Sequence, residues 1–288
     1  MRLRTAIFGV LLFLQSALVL TGGAVRLTGS GLGCPTWPEC TPGSYTPVPY
    51  QAEGQLHAWI EFGNRLLTFA LLLAALIAVI YVLQSGRKDL RALAAGQVLG
   101  IFGQGLLGGI TVLTDLHPLP VAGHLLLSML LIAGATSLYS RRHEPHVKVP
   151  AATKTISLVS QAHIAISFIV LILGTIVTGS GPHAGDEKAQ RFNFDIRSVA
   201  ILHADAVIFL MGLTIALLVA ASVANSTKKA IYIFFGISLA QGGIGYAQYL
   251  TGIPELLVAI HLAGATIFWI AAWRIRLSVV RTPQQERE

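Results

Sequence analysis

Four histidines recur at related positions along the chain, as two pairs. His57 and its two neighbours match the residues around His203 at an offset of 146, and His124 matches His261 at an offset of 137. Each lies in the first turns of an apolar segment, so all four are expected near one depth of a helical bundle. A lone histidine there is usually a packed core residue, but imidazoles from facing helices can also hold a haem iron from both sides. Four repeat-related histidines favour haem ligation over a metal site or a proton relay.

A carboxylate and an arginine accompany only the first half of this pattern. Glu61 lies one turn after the first histidine and has Val207 as its counterpart, while Arg26 has Ile176. A site that does chemistry needs acid–base or electrostatic groups beside the reacting carbon, whereas an electron-transfer site does not. The first half is therefore expected to be catalytic through Glu61. Arg26 and Arg65 are candidates for pairing with haem propionates, and Arg65 could also pair with Glu61, four residues before it.

Cys34 and Cys40 are the two cysteines of the chain, and both lie in its first long loop. This loop is predicted to face the outside, where disulfides persist. A disulfide between them could be a structural staple, or an exposed and labile redox pair that relays electrons. The residues alone favour neither role.

The composition is that of an integral membrane protein. Of 288 residues, 54% are hydrophobic and only 11% are charged, against about 25% charged in a soluble domain. The net charge of +7 is explained by basic cytoplasmic loops without a nucleic-acid partner. Eight stretches are long enough to cross a lipid bilayer, which takes about 20 apolar residues. They are 6–25, 56–83, 93–113, 119–139, 156–177, 199–223, 230–250 and 256–273.

Lysine and arginine residues determine the expected orientation in the membrane. With the N-terminus inside, fifteen of these 20 residues lie in inner segments and four lie in outer loops, while Arg65 lies within a helix. Cytoplasmic loops of membrane proteins carry the excess of positive residues. Both termini are therefore expected in the cytoplasm, with the loops 26–55 and 178–198 outside.

The chain is expected to contain two copies of one four-helix unit. The tetrapeptide Thr-Gly-Ser-Gly at 28–31 recurs at 178–181, an offset of 150. Because four is even, both copies run the same way through the membrane, as parallel repeats. The predicted fold is thus an all-α membrane protein made of two four-helix bundles. The expected division is a catalytic half at 1–140, a haem-binding half at 155–288 and a basic cytoplasmic linker at 141–154.

Three motifs carry a resemblance to a known family. They are GGAVRLTGSGL at 22–32, IEFGNR at 60–65 and TGSGPHAGD at 178–186. Together with the eight predicted helices and the four histidines, they cover the whole chain. On these features the chain resembles the haem A synthases.

The resemblance implies a substrate, a cofactor and partners. In the family, haem b lies in the second half, here with His203 and His261 as iron ligands, and haem O enters the first half, here with His57 and His124. The C8 methyl of haem O is oxidised to a formyl group by successive hydroxylations, and the glutamate matching Glu61 is essential. Haem A then serves the assembly of terminal oxidases. Expected partners are a protohaem farnesyltransferase that makes haem O, an unidentified electron-transfer partner and further copies in a homo-oligomer, all at the plasma membrane.

Asn64 departs from the family pattern. Many members have a haem-ligating histidine there, three residues after the glutamate, and the internal repeat predicts that His57 replaces it on roughly the same helix face. The cysteine pair that some members carry in the second outer loop is also missing. The main alternative function is a bis-histidine b-type membrane cytochrome, which would pass electrons without modifying haem. A transporter would place its polar groups at the midplane, whereas these are predicted near the outer face.

Overall fold

Long α-helices make up most of the structure, a computed structural model that describes residues 2–143, 154–186, 189–220 and 225–280. They are α1 (Arg2–Leu27), α2 (Gln55–Gln84), α3 (Arg91–Leu113), α4 (Pro118–Ser140), α5 (Lys154–Ser180), α6 (Ile196–Val219), α7 (Asn225–Leu250) and α8 (Glu255–Val280). All eight are long and apolar enough to cross a membrane. The prediction of an all-α membrane protein with eight spans is confirmed.

The helices follow the predicted spans and extend beyond most of them. The fifth span continues through Ser180 rather than ending at 177, and the last continues to Val280 rather than 273. The predicted end of the sixth span at 223, and most of the predicted linker 141–154, lie outside the described residues. The longer helices carry their unpaired terminal N–H and C=O groups further from the bilayer core, where water can bond them.

Helices α1 to α4, here called the first half, pack as a closed ring in which α1 and α3 each contact α2 and α4. Helices α5 to α8, the second half, pack in the same cyclic order. The halves meet where α8 contacts α1 and α4, and where α4 contacts α5. At this junction the buried Trp269 indole donates a 2.6 Å hydrogen bond to the Met129 carbonyl. The indole N–H therefore has a partner in a core that is otherwise apolar.

The repeated Thr-Gly-Ser-Gly tetrapeptide adopts two different conformations. In the first half α1 ends at Leu27, and Gly29 follows with a φ of +67°, a left-handed conformation that glycine adopts without strain. The Ser30 N–H then bonds back to the Val25 carbonyl at 2.9 Å. In the second half the tetrapeptide starts within α5, which runs on through Ser180. The first copy is held in its turned form by Gly31, whose N–H donates to the Gly185 carbonyl at 2.9 Å.

Candidate functional site

The four repeat-related histidines lie near the starts of the even-numbered helices, as predicted. His124, His203 and His261 are the seventh, eighth and seventh residues of α4, α6 and α8, but His57 is the third residue of α2. At a rise of 1.5 Å per residue, His57 stands about 6 Å nearer the start of its helix than the others do. The prediction that all four lie at one depth in the membrane stays a prediction, with His57 placed nearest to the start of its helix. The loop after α1 lies across the start of α2, with Gly33 directly against the His57 carbonyl.

The other three rings have similar surroundings in both halves. Each lies against a glycine of the odd-numbered helix before it. The pairs are His124 with Gly108, His203 with Gly174, and His261 with Gly245. A β-carbon built on any of these glycines would stand 3.4 to 3.6 Å from the ring's Cε1. The glycines therefore leave room for an imidazole between two helices.

These three imidazoles fit a haem as axial ligands. Within the described residues, the buried Nδ1 atoms of His124 and His261 have no hydrogen-bond partner, as is also true of Nδ1 of the core residue His163. The His203 ring lies within hydrogen-bonding reach of the Val170 carbonyl. His203 and His261 lie on α6 and α8, which stand opposite each other in the ring of the second half. Imidazoles on facing helices are the donor type that haem iron takes.

The His57 ring bonds a side chain instead. Its Nδ1 lies 2.9 Å from Ser30 Oγ, and Ser30 Oγ lies 2.8 Å from Thr28 Oγ1. Thr28 in turn donates to the Ala24 carbonyl at 2.8 Å. Sequence reasoning did not single out Ser30 or Thr28 as site residues. Their membership of the repeated tetrapeptide was the available signal, but its two conformations become apparent only in the structure.

Asn64 is bonded to the helix before it. Thr21 of α1 donates a 2.7 Å hydrogen bond to Asn64 Oδ1. In the second half, His203 packs on Gly174, whose counterpart at the repeat offset of 150 is Ala24, one turn from Thr21. Asn64 therefore meets α1 close to the level at which His203 meets α5. His57 lies two turns further toward the start of α2, beside Ser30.

Glu61 is a buried carboxylate, 6% exposed, with both oxygens engaged. Its Oε1 accepts from two nitrogens of Arg65 at 2.6 and 3.2 Å, and its Oε2 accepts from the Cys34 N–H at 2.7 Å. The ion pair reduces the cost of placing a carboxylate in an apolar bundle. An ionised carboxylate has about four acceptor positions, so one remains for a substrate or water.

Arg65 also holds the loop that contains the cysteines. It donates to the carbonyls of Cys34, Thr36 and Glu39 at 2.9 to 3.2 Å. With these bonds and the Glu61 pair, the guanidinium is directed at the protein itself. A carbonyl set of this kind suits the planar, forked guanidinium.

Cys34 and Cys40 form a disulfide, and both residues are fully buried. They are buried because the loop folds back over the start of α2. Besides the Cys34–Glu61 bond, the Gln51 amide donates to the Gly33 carbonyl inside the same loop. Of the two roles left open by the sequence, burial favours the structural one, because a buried disulfide is less accessible to thiols.

Arg26 connects the two halves. It donates to the Thr178 carbonyl at 2.8 Å and to the His183 carbonyl. The His183 ring then bonds the Ile253 carbonyl, just before α8, at 2.8 Å. The structure thus places Arg26 at the junction of the long loops, and does not bring it to Glu61.

The remaining histidines lie apart from this site. His163 is fully buried and bonds Thr214 at 3.1 Å, as a packed core histidine does. His117 caps α4, and His143 is exposed; His146 lies outside the described residues. Across residues 2–143, 154–186, 189–220 and 225–280, no cluster of three or more histidine, cysteine or acidic side chains could bind a metal ion directly.

Comparison with known proteins gives a consistent result. A family model described as cytochrome oxidase assembly protein (COX15-CtaA) matches residues 5–185. A Heme A synthase of Sinorhizobium fredii is 25% identical and aligns with 92% of the chain and 87% of its own length. One of Rhizobium johnstonii is 26% identical over 92% and 88% of the two chains. One of Shewanella oneidensis is 30% identical over 56% and 51%.

Proposed function

Because the chain belongs to the cytochrome oxidase assembly protein family, whose model matches well over half of it, we propose that it acts as a haem A synthase. It would oxidise the C8 methyl of haem O to a formyl group through successive hydroxylations. The first half, α1 to α4, would bind haem O with His57 and His124, and the second would bind haem b with His203 and His261. The relatives named Heme A synthase, which align with nine-tenths of the chain, support this function.

The environment of Glu61 carries the catalytic part of the proposal. It is a buried carboxylate one turn after His57, and the corresponding position of the second half is Val207. Groups placed where charge develops in a transition state are among the strongest catalytic devices. The carboxylate is thus present in one half only, as expected if the first half does the chemistry and the second half passes electrons.

The residues of the first half have distinct tasks. When bound, haem O brings the methyl group and the iron, and haem b supplies a route for electrons. Glu61 offers its remaining acceptor position to positive charge or a proton at the oxidised carbon. Arg65 holds the Glu61 carboxylate in place, and the Cys34–Cys40 loop covers the carboxylate from above. This cover keeps bulk water away from a site in which electrostatic interactions are stronger.

The wider setting follows from the same proposal. The multi-pass chain would lie in the plasma membrane with both termini in the cytoplasm and the disulfide loop outside. A protohaem farnesyltransferase would deliver haem O, and an electron-transfer partner would complete the redox cycle. Haem A would pass on to terminal oxidases.

The test is to co-express the chain with a source of haem O in cells that lack haem A, and to identify the extracted haems by chromatography and mass. Haem A or hydroxylated haem O is expected with the wild type and with Glu53→Gln, a control in the same outer loop. Glu61→Gln should still bind haem but form neither product. Normal haem A from Glu61→Gln would remove the proposed role of Glu61. Unchanged haem O with the wild type would favour the electron-transfer cytochrome.

A further inference from the structure

We propose that Ser30 is a positioning residue that holds His57 in its Nδ1–H tautomer and leaves Nε2 free to bind the iron of the substrate haem. This inference rests on the proposed function of the first half. It concerns the protonation of one ring in the free protein, so it can be tested without turnover.

The tautomer follows from counting protons along a short chain of hydrogen bonds. The Thr28 hydroxyl lies 2.8 Å from the Ala24 carbonyl and 3.3 Å from the Val25 carbonyl, which can only accept, and we assign its single proton to them. With that assignment Thr28 Oγ1 accepts from Ser30, 2.8 Å away, which uses the only Ser30 hydroxyl proton. Ser30 Oγ must in turn accept from His57 Nδ1 at 2.9 Å. His57 therefore carries its proton on Nδ1, and its Nε2 has a free lone pair.

The second half has the same residue types, but its serine hydroxyl bonds its own helix instead of a histidine ring. Thr178 donates to the Gly174 carbonyl at 2.8 Å, as Thr28 does to Ala24. Ser180, the counterpart of Ser30, donates to the Ile176 carbonyl at 2.9 Å because α5 continues through it. Its hydroxyl is bound within its own helix rather than to His203. The two tetrapeptides can therefore be compared directly, because only the first has its serine bonded to a histidine ring.

The backbone turn is what brings Ser30 to His57. The left-handed Gly29 ends α1 three residues before the corresponding end of α5. Gly33 then packs directly on the backbone of α2 at His57, where a β-carbon would collide. Ser30 lies between these glycines and is fully buried. Its hydroxyl is held in place by the fold, which makes it suitable for orienting a ring.

The chemical consequence is a difference between the two haem sites. A ligating imidazole whose other ring nitrogen donates a hydrogen bond has a fixed orientation and is a more basic ligand. His57 has this support from Ser30, whereas the matching Ser180 hydroxyl bonds its own helix. We therefore expect Ser30 to affect the first-half site alone. Loss of such a partner typically weakens metal binding about 10- to 100-fold.

The first experiment reads the tautomer directly, in the full-length chain without haem. Nitrogen-15 NMR of histidine-labelled protein distinguishes protonated from unprotonated ring nitrogens, and His57→Gln identifies the signal. The expected result for the wild type is a protonated Nδ1. Thr28→Val keeps Ser30 but removes the acceptor of its proton, so Ser30 can donate to His57 and an Nε2–H population should appear. A purely structural Ser30 would not produce this change.

The second experiment measures haem binding, with protohaem as the probe. Two binding sites are expected, and the second-half site is identified by its loss in His203→Ala. Ser30→Ala should weaken the other site by about tenfold or more, while Ser180→Ala leaves both unchanged. A wild-type His57 protonated on Nε2, or equal first-half affinities in Ser30→Ala and wild type, would overturn the inference. The proposed function fails separately, if the wild type forms no haem A.

Discussion

The backbone N–H of Cys34 donates a 2.7 Å hydrogen bond to Oε2 of Glu61. The carboxylate proposed for catalysis therefore also anchors the disulfide loop to α2. Arg65 also connects Glu61 to the disulfide loop, because it bonds both the Glu61 carboxylate and the Cys34 carbonyl. Loss of activity after a change at Glu61 can accordingly arise from lost chemistry or from a displaced loop.

Two substitutions at Glu61 separate these causes. Glu61→Ala leaves the Arg65 charge and the Cys34 N–H without their partner, and breaking a buried pair costs about 3–5 kcal/mol. Glu61→Gln keeps an amide oxygen for the Cys34 N–H and should lose much less stability. Both variants should form no haem A. Thermal unfolding of the purified chains in detergent measures the difference, and equal melting temperatures would contradict the anchoring role.

Arg65→Lys tests the guanidinium itself. Lysine keeps the positive charge but cannot donate in a planar fork to the carbonyls of Cys34, Thr36 and Glu39. We expect a lower melting temperature and faster proteolytic cleavage in the loop. Arg197→Lys is the control, since Arg197 is an exposed residue near the start of α6. If both variants are cleaved at the wild-type rate, the carbonyl contacts of Arg65 do not hold the loop.

The eight spans were predictable because a helix in lipid must satisfy its backbone groups internally, which leaves a long apolar run in the sequence. The disulfide loop that covers Glu61 could not be predicted in the same way. The Cys34–Glu61 bond joins a loop to a helix 27 residues away, and no local pattern encodes it. Likewise, Ser30 and Ser180 have the same neighbours in sequence, and tertiary contacts such as that of Gly31 with Gly185 separate their conformations.

His57 and Asn64 can be compared by a rescue experiment. His57→Ala should remove the low-spin bis-histidine spectrum of the first-half haem, because only His124 would remain as a ligand. Asn64 meets α1 close to the level at which His203 meets α5, so Asn64→His in the His57→Ala background should restore that spectrum. Absorption and electron paramagnetic resonance spectra read the outcome. An unaltered first-half spectrum in His57→Ala would show that His57 is not the ligand.

Asp195 gives a pH-dependent prediction outside the membrane spans. As the N-cap of α6 it accepts from the Ser198 hydroxyl at 2.7 Å and from the Ser198 N–H at 2.9 Å. These bonds lower the pKa of the Asp195 carboxyl below its usual value. Its contribution to stability is therefore present above the unfolded-state pKa, about 3.9, and is lost as the pH falls through the folded-state pKa.

The variant Asp195→Asn isolates this contribution, because asparagine caps a helix about as well without titrating. The melting temperature of the wild type should fall more steeply than that of the variant as the pH drops below about 4. Parallel curves would mean that the cap does not contribute through its charge.

Gly245 and Gly243 of α7 form a matched pair for the second-half site. A β-carbon at Gly245 would stand 3.4 Å from His261 Cε1, whereas one at Gly243 would meet nothing within 4 Å. Alanine stabilises a helix interior by about 1 kcal/mol relative to glycine, and this gain applies to both variants. Only Gly245→Ala must also displace the imidazole, so its haem b content should fall about tenfold, as when a ligand loses its orientation. Haem extraction from the purified proteins measures this ratio. Equal haem b in the two variants would mean that the glycine does not set the position of His261.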